Sequence, residues 1–200
     1  MAGLRHVPAG RSGVLWLRHR LNVARRGGTV LRQKLTMLAG EQERLRHAHA
    51  ASAGALRAAD LAARTWLARA VLLNGADALD AACDVPPVSV TARWSMVMGV
   101  RYAEAPSVDL PPPQPQRAPA GGAAIIEAAA AYREAALAAA RHAAAGAALR
   151  TVEAELATTR RRVRAIERHW VPRLESALAT VSLQLAELEA GDAAGRRAAR

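Results

Sequence analysis

The 200-residue chain has no phenylalanine, one cysteine and one lysine, and aromatic residues make up only 3% of it. Because Cys83 stands alone, it can form neither an intramolecular disulfide nor a cysteine metal cluster, and we interpret it as an incidental thiol. With Lys34 as the only lysine, the sequence contains no Gly-x-x-x-x-Gly-Lys-Ser/Thr phosphate loop. The few aromatic residues supply a thick globular core poorly. The abundant alanine instead favours long helices in narrow contact.

The sequence also lacks a long uncharged apolar segment. Its alanine-rich stretch, residues 128–148, is interrupted by Arg133, Glu134, Arg141 and His142. A helix that spans a bilayer needs about 20 consecutive, predominantly apolar residues. We therefore expect no direct insertion into a membrane.

Acidic residues are absent before Glu41, whereas eight basic residues precede it, and the formal net charge of the whole chain is +11. An arginine-rich, acid-free N-terminus is also typical of organellar transit peptides. Here, however, an apolar heptad phase runs unbroken from Val14 to Leu73. This continuity favours a segment that belongs to the folded protein.

Two runs of residues spaced alternately three and four apart lie at opposite ends of the chain. Such a seam needs a partner helix to cover it, and each run is the simplest cover for the other. The first run is Val14, Leu17, Leu21, Ala24, Gly28, Leu31, Leu35, Leu38, Gln42, Leu45, His49, Ser52, Leu56, Ala59, Ala63, Trp66, Ala70 and Leu73. The second is Leu149, Val152, Leu156, Thr159, Val163, Ile166 and Trp170, resuming as Val171, Leu174, Leu178, Val181, Leu185 and Leu188.

We therefore predict a mainly all-α fold, a long antiparallel two-helix coiled coil with a small central β-hairpin or irregular lobe. The helices are expected at residues 13–75, with Ser12 as N-cap and Asn74–Gly75 as stop signal, and at residues 123–190. Tails cover residues 1–12 and 191–200. In this pairing residues 14–38 face roughly residues 164–188.

Residues 76–122 form the predicted central lobe. A short helical piece at residues 76–83 ends before Pro86–Pro87, and alternating β-formers from Val88 to Tyr102 predict one or two short strands. The proline-rich stretch from Asp109 to Gly122 is typical of an extended loop.

Near Trp170 the second run slips, because successive steps of four join Ile166, Trp170, Leu174 and Leu178. An inserted step of this kind unwinds a supercoil locally, and Pro172 removes a backbone donor at the same place. We expect a local bend. The bend is either a kink that the helix packing accommodates or a feature that makes the rod asymmetric about its long axis.

No arrangement of residues predicts catalysis, a cofactor or a metal site. The six histidines lack ligand spacing, and His47 and His49 point to different faces of a helix. The arginine clusters at residues 18–20, 25–26 and 160–168 are open to three interpretations. They form a solvated helix face, a surface that binds nucleic acid, or a surface that contacts an acidic protein surrounding the helices. Leu15 and Trp16 fall outside the seam, so they either pack locally or form an apolar bearing for a partner.

Three blocks resemble one known family. Arg11 to Leu35, read as Arg-Ser, Leu-x-x-Arg-Leu, Ala-x-Arg-Gly and Leu-x-x-Lys, resembles the N-terminal signature of the D subunit of A/V-type ATPases. Arg161 to Glu175 is similar to the same family's C-terminal block, and Val97-Met-Gly-Val-Arg-Tyr to its central Val-Met-Gly-Val segment. The three blocks occur in the family's order.

The resemblance implies a non-catalytic rotor shaft of a proton-translocating ATPase or ATP synthase, on the cytoplasmic, peripheral face of the membrane. Its implied partners are the hexamer of A and B subunits, the F subunit, and the C subunit above the membrane ring, with no nucleic acid. The hexamer contacts implied are Leu15, Trp16, Arg18, Arg20, Arg25, Arg26, Arg161, Arg164 and Arg168. The contacts implied with the F subunit are Met98, Gly99 and Val100. The alternative from the residues alone is a stand-alone basic coiled-coil scaffold or nucleic-acid-binding protein.

Overall fold

The computed structural model describes residues 7–8, 10–77, 88–111 and 122–198. Helix α1 spans Gly10–Asn74, strands β1 and β2 span Ser89–Val97 and Val100–Asp109, and helix α2 spans Gly122–Ala165. A π-helical turn, Ile166–Trp170, then leads into helix α3, Val171–Ala198. The predicted fold class, two long paired helices with a small antiparallel hairpin between them in sequence, is confirmed. Cys83, most of the expected helical piece at residues 76–83 and most of the proline-rich stretch at residues 109–122 lie outside the described residues.

The two ends of α1 differ in how well they follow the sequence signals. The helix begins at Gly10, three residues before the expected start, so Ser12 lies inside it rather than at its cap. At the other end Gly75 adopts a φ of 81°, and its N–H donates to the carbonyl of Val71 at 2.9 Å. A left-handed glycine whose N–H bonds back into the last turn is a common way to end a helix.

The chain divides into two compact units. The terminal unit comprises residues 1–36 and 156–200, and the central unit comprises residues 37–155. In the terminal unit, α1 packs antiparallel against α3 around buried Leu17, Leu21 and Leu174. Partly buried side chains extend this core: Val7, Trp16, Ala24, Val171, Ala177, Leu178 and Val181.

The seam of the central unit combines buried Leu38, Leu45 and Val152 with small and polar residues. Ala70, Ala124, Ile125 and Ala128 form a buried cluster with Trp66 packed against it. Two polar layers also bridge α1 and α2. In the first, the side-chain amide of Gln42 donates to Glu153 at 2.9 Å, and Arg46 pairs with the same carboxylate at 3.2 Å. These two partners lower the pKa of Glu153.

The second polar layer is a pair of stacked histidines. The rings of His49 and His142 lie 4.4 Å apart at an angle of 28°. The Ser52 hydroxyl donates to the backbone carbonyl of His49 at 2.8 Å and lies 3.1 Å from Nδ1 of His142. Gly146, buried on α2, leaves room for the His49 ring, because a Cβ there would lie 3.1 Å from its Nε2 atom.

The strands β1 and β2 form a two-stranded antiparallel hairpin. Met98 and Gly99 are its two turn residues, with φ of 50° and 79°. Positive φ at both central positions belongs to the type I′ turn that matches the twist of a hairpin. A register shift between Arg93 and Trp94 leaves Glu104 as the extra residue on β2.

The π-helical turn explains the slip in the second apolar run. The N–H of Val171 bonds to the carbonyl of Ile166, five residues back, so the seam passes from Ile166 directly to Val171. Trp170 is thereby turned outward and is 42% exposed, so its prediction as a seam residue is wrong. Pro172 cannot donate to the carbonyl four residues earlier, which disturbs the regular pattern at this point. A one-residue insertion thus lies at the position where a local bend was expected.

Candidate partner-binding surfaces

The positive charge of the chain is concentrated in the terminal unit. Its residues include 17 arginines and lysines against 5 acidic residues, a formal charge of +12. The central unit carries 11 basic and 12 acidic residues and is close to neutral. A field of this kind attracts acidic partners and accelerates their association. The terminal unit is therefore the part of the chain suited to an acidic surround.

Some of these arginines are already used within the chain. Three of them stand one or two heptads apart on α1 and pair with glutamates across the seam: Arg11 with Glu189 at 2.7 Å, Arg25 with Glu175 at 2.7 Å, and Arg32 with Glu167 at 3.6 Å. We call these pairs the arginine ladder. All six side chains are exposed to solvent, to between 45% and 81%, so each pair contributes little to stability. The ladder instead marks the register of the two helices.

The ladder also records the extra residue of the π-helical turn. From Arg11 to Arg25 and from Glu175 to Glu189 the spacing is fourteen residues on both helices. From Arg25 to Arg32, however, seven residues of α1 stand against the eight that separate Glu167 from Glu175. The additional residue therefore lies between the Arg25–Glu175 and Arg32–Glu167 pairs of the ladder.

Leu15 and Trp16, the expected apolar bearing, lie in different environments. Leu15 is 65% exposed. Trp16 is partly buried against the core around Leu17, and the guanidinium of Arg20 lies 5.2 Å from the centre of its ring. Leu15 is thus open to a partner, whereas Trp16 belongs in part to the chain's own core.

The remaining arginines predicted to contact a partner are exposed. Arg25 is held by Glu175, and Arg161 donates to the Thr158 hydroxyl at 3.2 Å. The others are Arg18, Arg26, Arg164 and Arg168. Helical spacing alone does not reveal which arginines are paired across the seam, because that depends on the register of the other helix.

The hairpin turn predicted as a second contact is only partly available. Met98 and Gly99 are exposed at the tip, but Val100 is 8% exposed and faces the protein interior. Beside it Tyr102, 2% exposed, donates its hydroxyl to Glu41 at 2.6 Å. The buried face of the hairpin is thus fixed to α1.

Arg44 completes this contact between hairpin and helix. Its guanidinium lies 2.6 Å from Glu41 and 3.3 Å from the Tyr102 hydroxyl. Arg44 holds the pKa of Glu41 below its ordinary value, although partial burial opposes the shift and Tyr102 assists it. The Glu41 carboxylate in turn raises the pKa of Arg44. The network anchors the hairpin through charged hydrogen bonds.

The outer face of the hairpin was not identified as a functional surface from the sequence. It exposes Val90, Trp94 and Met96, and the guanidinium of Arg101 lies 4.6 Å from the centre of a Trp94 ring. Alternation along β1 gave the signal, since these residues are separated by even numbers of positions and so share one face. Which of the two faces is open depends on the docking of Tyr102.

Within the described parts of the chain, no group of three or more His, Cys, Asp or Glu side chains is arranged to hold a metal ion. Likewise, none of the helices built from those residues combines the length and the apolar character needed to cross a membrane.

Comparison with known proteins gives one family. The family model for the D subunit of ATP synthase matches residues 14–196. No curated protein is similar enough to the chain to match it.

Proposed function

The chain belongs to the D-subunit family of A/V-type ATP synthases, and from that premise we propose that it is the rotor shaft of its complex. The family consists of non-catalytic central-stalk subunits of a rotary ATPase, which associate with the other subunits of a membrane-associated assembly. The proposal adds that this chain transmits torque between ATP turnover in a catalytic hexamer and proton transport through a membrane ring. The family match over nearly the whole chain is the observation that carries it.

The terminal unit is proposed to lie inside the hexamer of A and B subunits. Its +12 charge suits an acidic surround, and exposed Leu15 offers an apolar contact. Arg18, Arg20, Arg26, Arg161, Arg164 and Arg168 are the proposed charged contacts. Arg25 would act mainly by holding the two helices in register, because Glu175 already engages it.

The central unit is proposed to carry the contacts outside the hexamer. The F subunit would meet the hairpin at Met98 and Gly99, with Val100 supporting the turn from inside rather than touching the partner. The C subunit would link the shaft to the membrane ring. The Tyr102–Glu41–Arg44 network supports this assignment, since it holds the hairpin in one orientation.

Torque transmission needs stiffness and asymmetry rather than side-chain chemistry. The paired helices supply a continuous hydrogen-bonded backbone, and the π-helical turn makes the two helices unequal at one level. We propose that this inequality gives the surrounding subunits a non-uniform surface to push against.

Reconstitution tests the proposal. The purified chain should co-purify with an A–B hexamer and the F subunit at about 150 mM salt. ATP hydrolysis by the complete complex should drive proton transport, whereas a complex assembled without the chain should hydrolyse ATP with no transport. A chain that stays folded yet binds neither the hexamer nor the F subunit would contradict the rotor assignment.

The charge of the terminal unit also favours a second candidate, a basic coiled coil that binds nucleic acid. Phosphate contacts by arginine are strongly salt-dependent. A gel shift with duplex DNA that persists at physiological ionic strength would favour this candidate. Its loss above about 100 mM salt would leave only non-specific charge attraction.

A further inference from the structure

A second set of apolar residues follows α1 outside the seam in the terminal unit. Val14 and Leu17 take the first and fourth positions of a heptad, so Trp16, Val23 and Val30 each take the third. We call these three residues the outer stripe. Val23 and Val30 are 54% and 59% exposed, although both are β-branched apolar residues on a helix surface. Residues seven apart lie about 10.5 Å from one another along the helix, so the stripe extends for about 21 Å.

The margins of the outer stripe are basic. Arg20 lies beside it on one side, with its guanidinium over the Trp16 ring, and Arg26 lies beside it on the other. Because no acidic residue precedes Glu41, nothing on this part of α1 offsets that charge. A complementary surface needs apolar residues at the same interval, flanked by carboxylates.

We propose that the outer stripe is the docking face for an acidic, amphipathic protein segment, an α-helix whose apolar residues meet Trp16, Val23 and Val30 while its carboxylates meet Arg20 and Arg26. This inference rests on the proposed function and deepens it. It assigns the hexamer contact to one flank of α1, in addition to the exposed Leu15 near the start of the helix.

A membrane surface fits the stripe less well than a protein does. Helices that lie in a bilayer interface bury a broad, continuous apolar face. Here the seam face of α1 is covered by α3, and the stripe is a single row with arginines on both sides. A narrow row with charged margins matches the geometry of helix-to-helix contact.

Two double variants test the proposal through the sign of the introduced charge. Val23→Glu/Val30→Glu and Val23→Lys/Val30→Lys both remove the apolar contact, and both introduce better helix formers than valine, so the fold is preserved. With the purified A–B hexamer as the probe, we expect the glutamate variant to bind at least 100-fold more weakly than the unmodified chain. The lysine variant should lose less than about 10-fold, because its new charges face carboxylates.

Leu183 supplies the matched control, since it is 62% exposed on α3 in the same unit. Leu183→Glu should change hexamer affinity by less than about threefold, and far-UV circular dichroism should show equal helix content for all variants. Equal binding by the glutamate double variant and the unmodified chain would overturn the outer stripe while leaving the rotor assignment intact. A larger loss of hexamer affinity for the lysine double variant than for the glutamate double variant would overturn the proposal that the partner is acidic.

Two further outcomes separate the remaining possibilities. Failure of the unmodified chain to bind the hexamer would refute the proposed function, and the outer stripe as a hexamer contact with it. Binding to vesicles of phosphatidylcholine and phosphatidylserine in a 3:1 ratio, abolished by the Val23→Glu/Val30→Glu change, would overturn the protein partner in favour of a lipid surface.

Discussion

Three glycines within the helices give a graded test of how closely the helices pack. Gly28 is buried in the seam of the terminal unit, and a Cβ there would lie 3.6 Å from Cγ2 of Ile166, an ordinary van der Waals distance. Gly28→Ala should gain about 1 kcal/mol from helix propensity and up to about 0.8 kcal/mol from one buried methyl group. We expect its free energy of unfolding to rise by about 1.5 kcal/mol.

Substitutions at Gly27 and Gly146 separate the gain in helix propensity from the effect of packing. A Cβ on Gly27 would meet nothing within 4 Å, so Gly27→Ala should gain only the propensity, about 1 kcal/mol. A Cβ on Gly146 would lie 3.1 Å from the ring of His49, which is stacked on His142 and has little room to move. This overlap should cancel most of the gain from Gly146→Ala.

Urea unfolding followed by far-UV circular dichroism measures the three differences, with equal slopes required for a fair comparison. The order expected is Gly28→Ala above Gly27→Ala, and Gly27→Ala above Gly146→Ala. A loss of stability for Gly28→Ala would refute the reasoning, because it would mean that the helices approach more closely than the contact with Ile166 allows. Equal gains for Gly27→Ala and Gly146→Ala would refute the packing assigned to His49.

Two other contacts give further predictions. Tyr102→Phe removes a donor to Glu41 and should cost about 1–2 kcal/mol, seen as faster hydrogen exchange of the hairpin amides; unchanged exchange would contradict the anchoring role. Arg44 holds the folded-state pKa of Glu41 below its ordinary value of 4.5, so the Glu41 carboxylate contributes its full stabilisation above pH 4.5 and loses it as the pH falls through the folded-state pKa. The free energy of unfolding, measured against pH, should show this loss, and Tyr102→Phe should make the loss smaller. Glu175→Gln breaks an exposed pair with Arg25 and should cost at most about 0.5 kcal/mol, falling towards zero in 1 M NaCl, whereas a loss above about 1 kcal/mol would contradict that estimate.

The pairing of the helices was predictable because a heptad pattern follows directly from helix geometry. Within the first run only Leu73, next to the end of α1, is exposed rather than buried or half-buried. The expected facing of the two termini agrees with the packing of Leu17 and Leu21 on Leu174. Local spacing sufficed here, since each seam position depends only on its own helix.

Features that depend on two segments at once were not predictable in the same way. Trp170 left the seam because one extra residue was inserted, and the position of that residue follows from the match between helices near Pro172. Val100 was expected to be a contact, yet it is buried because Tyr102 turns that face of the hairpin towards α1. In each case the deciding contact joins residues far apart in sequence.

The unequal spacing between the Arg25–Glu175 and Arg32–Glu167 pairs also indicates where the chain tolerates changes in length. Loss of one residue between Ile166 and Trp170 would set seven residues against seven and restore an uninterrupted heptad, at the cost of placing Pro172 inside a regular helix. Loss of one residue between Arg25 and Arg32 would instead set six residues against eight and break the register of the paired helices beyond that point. Single-residue deletions should therefore be accommodated at the π-helical turn and rejected directly across from it.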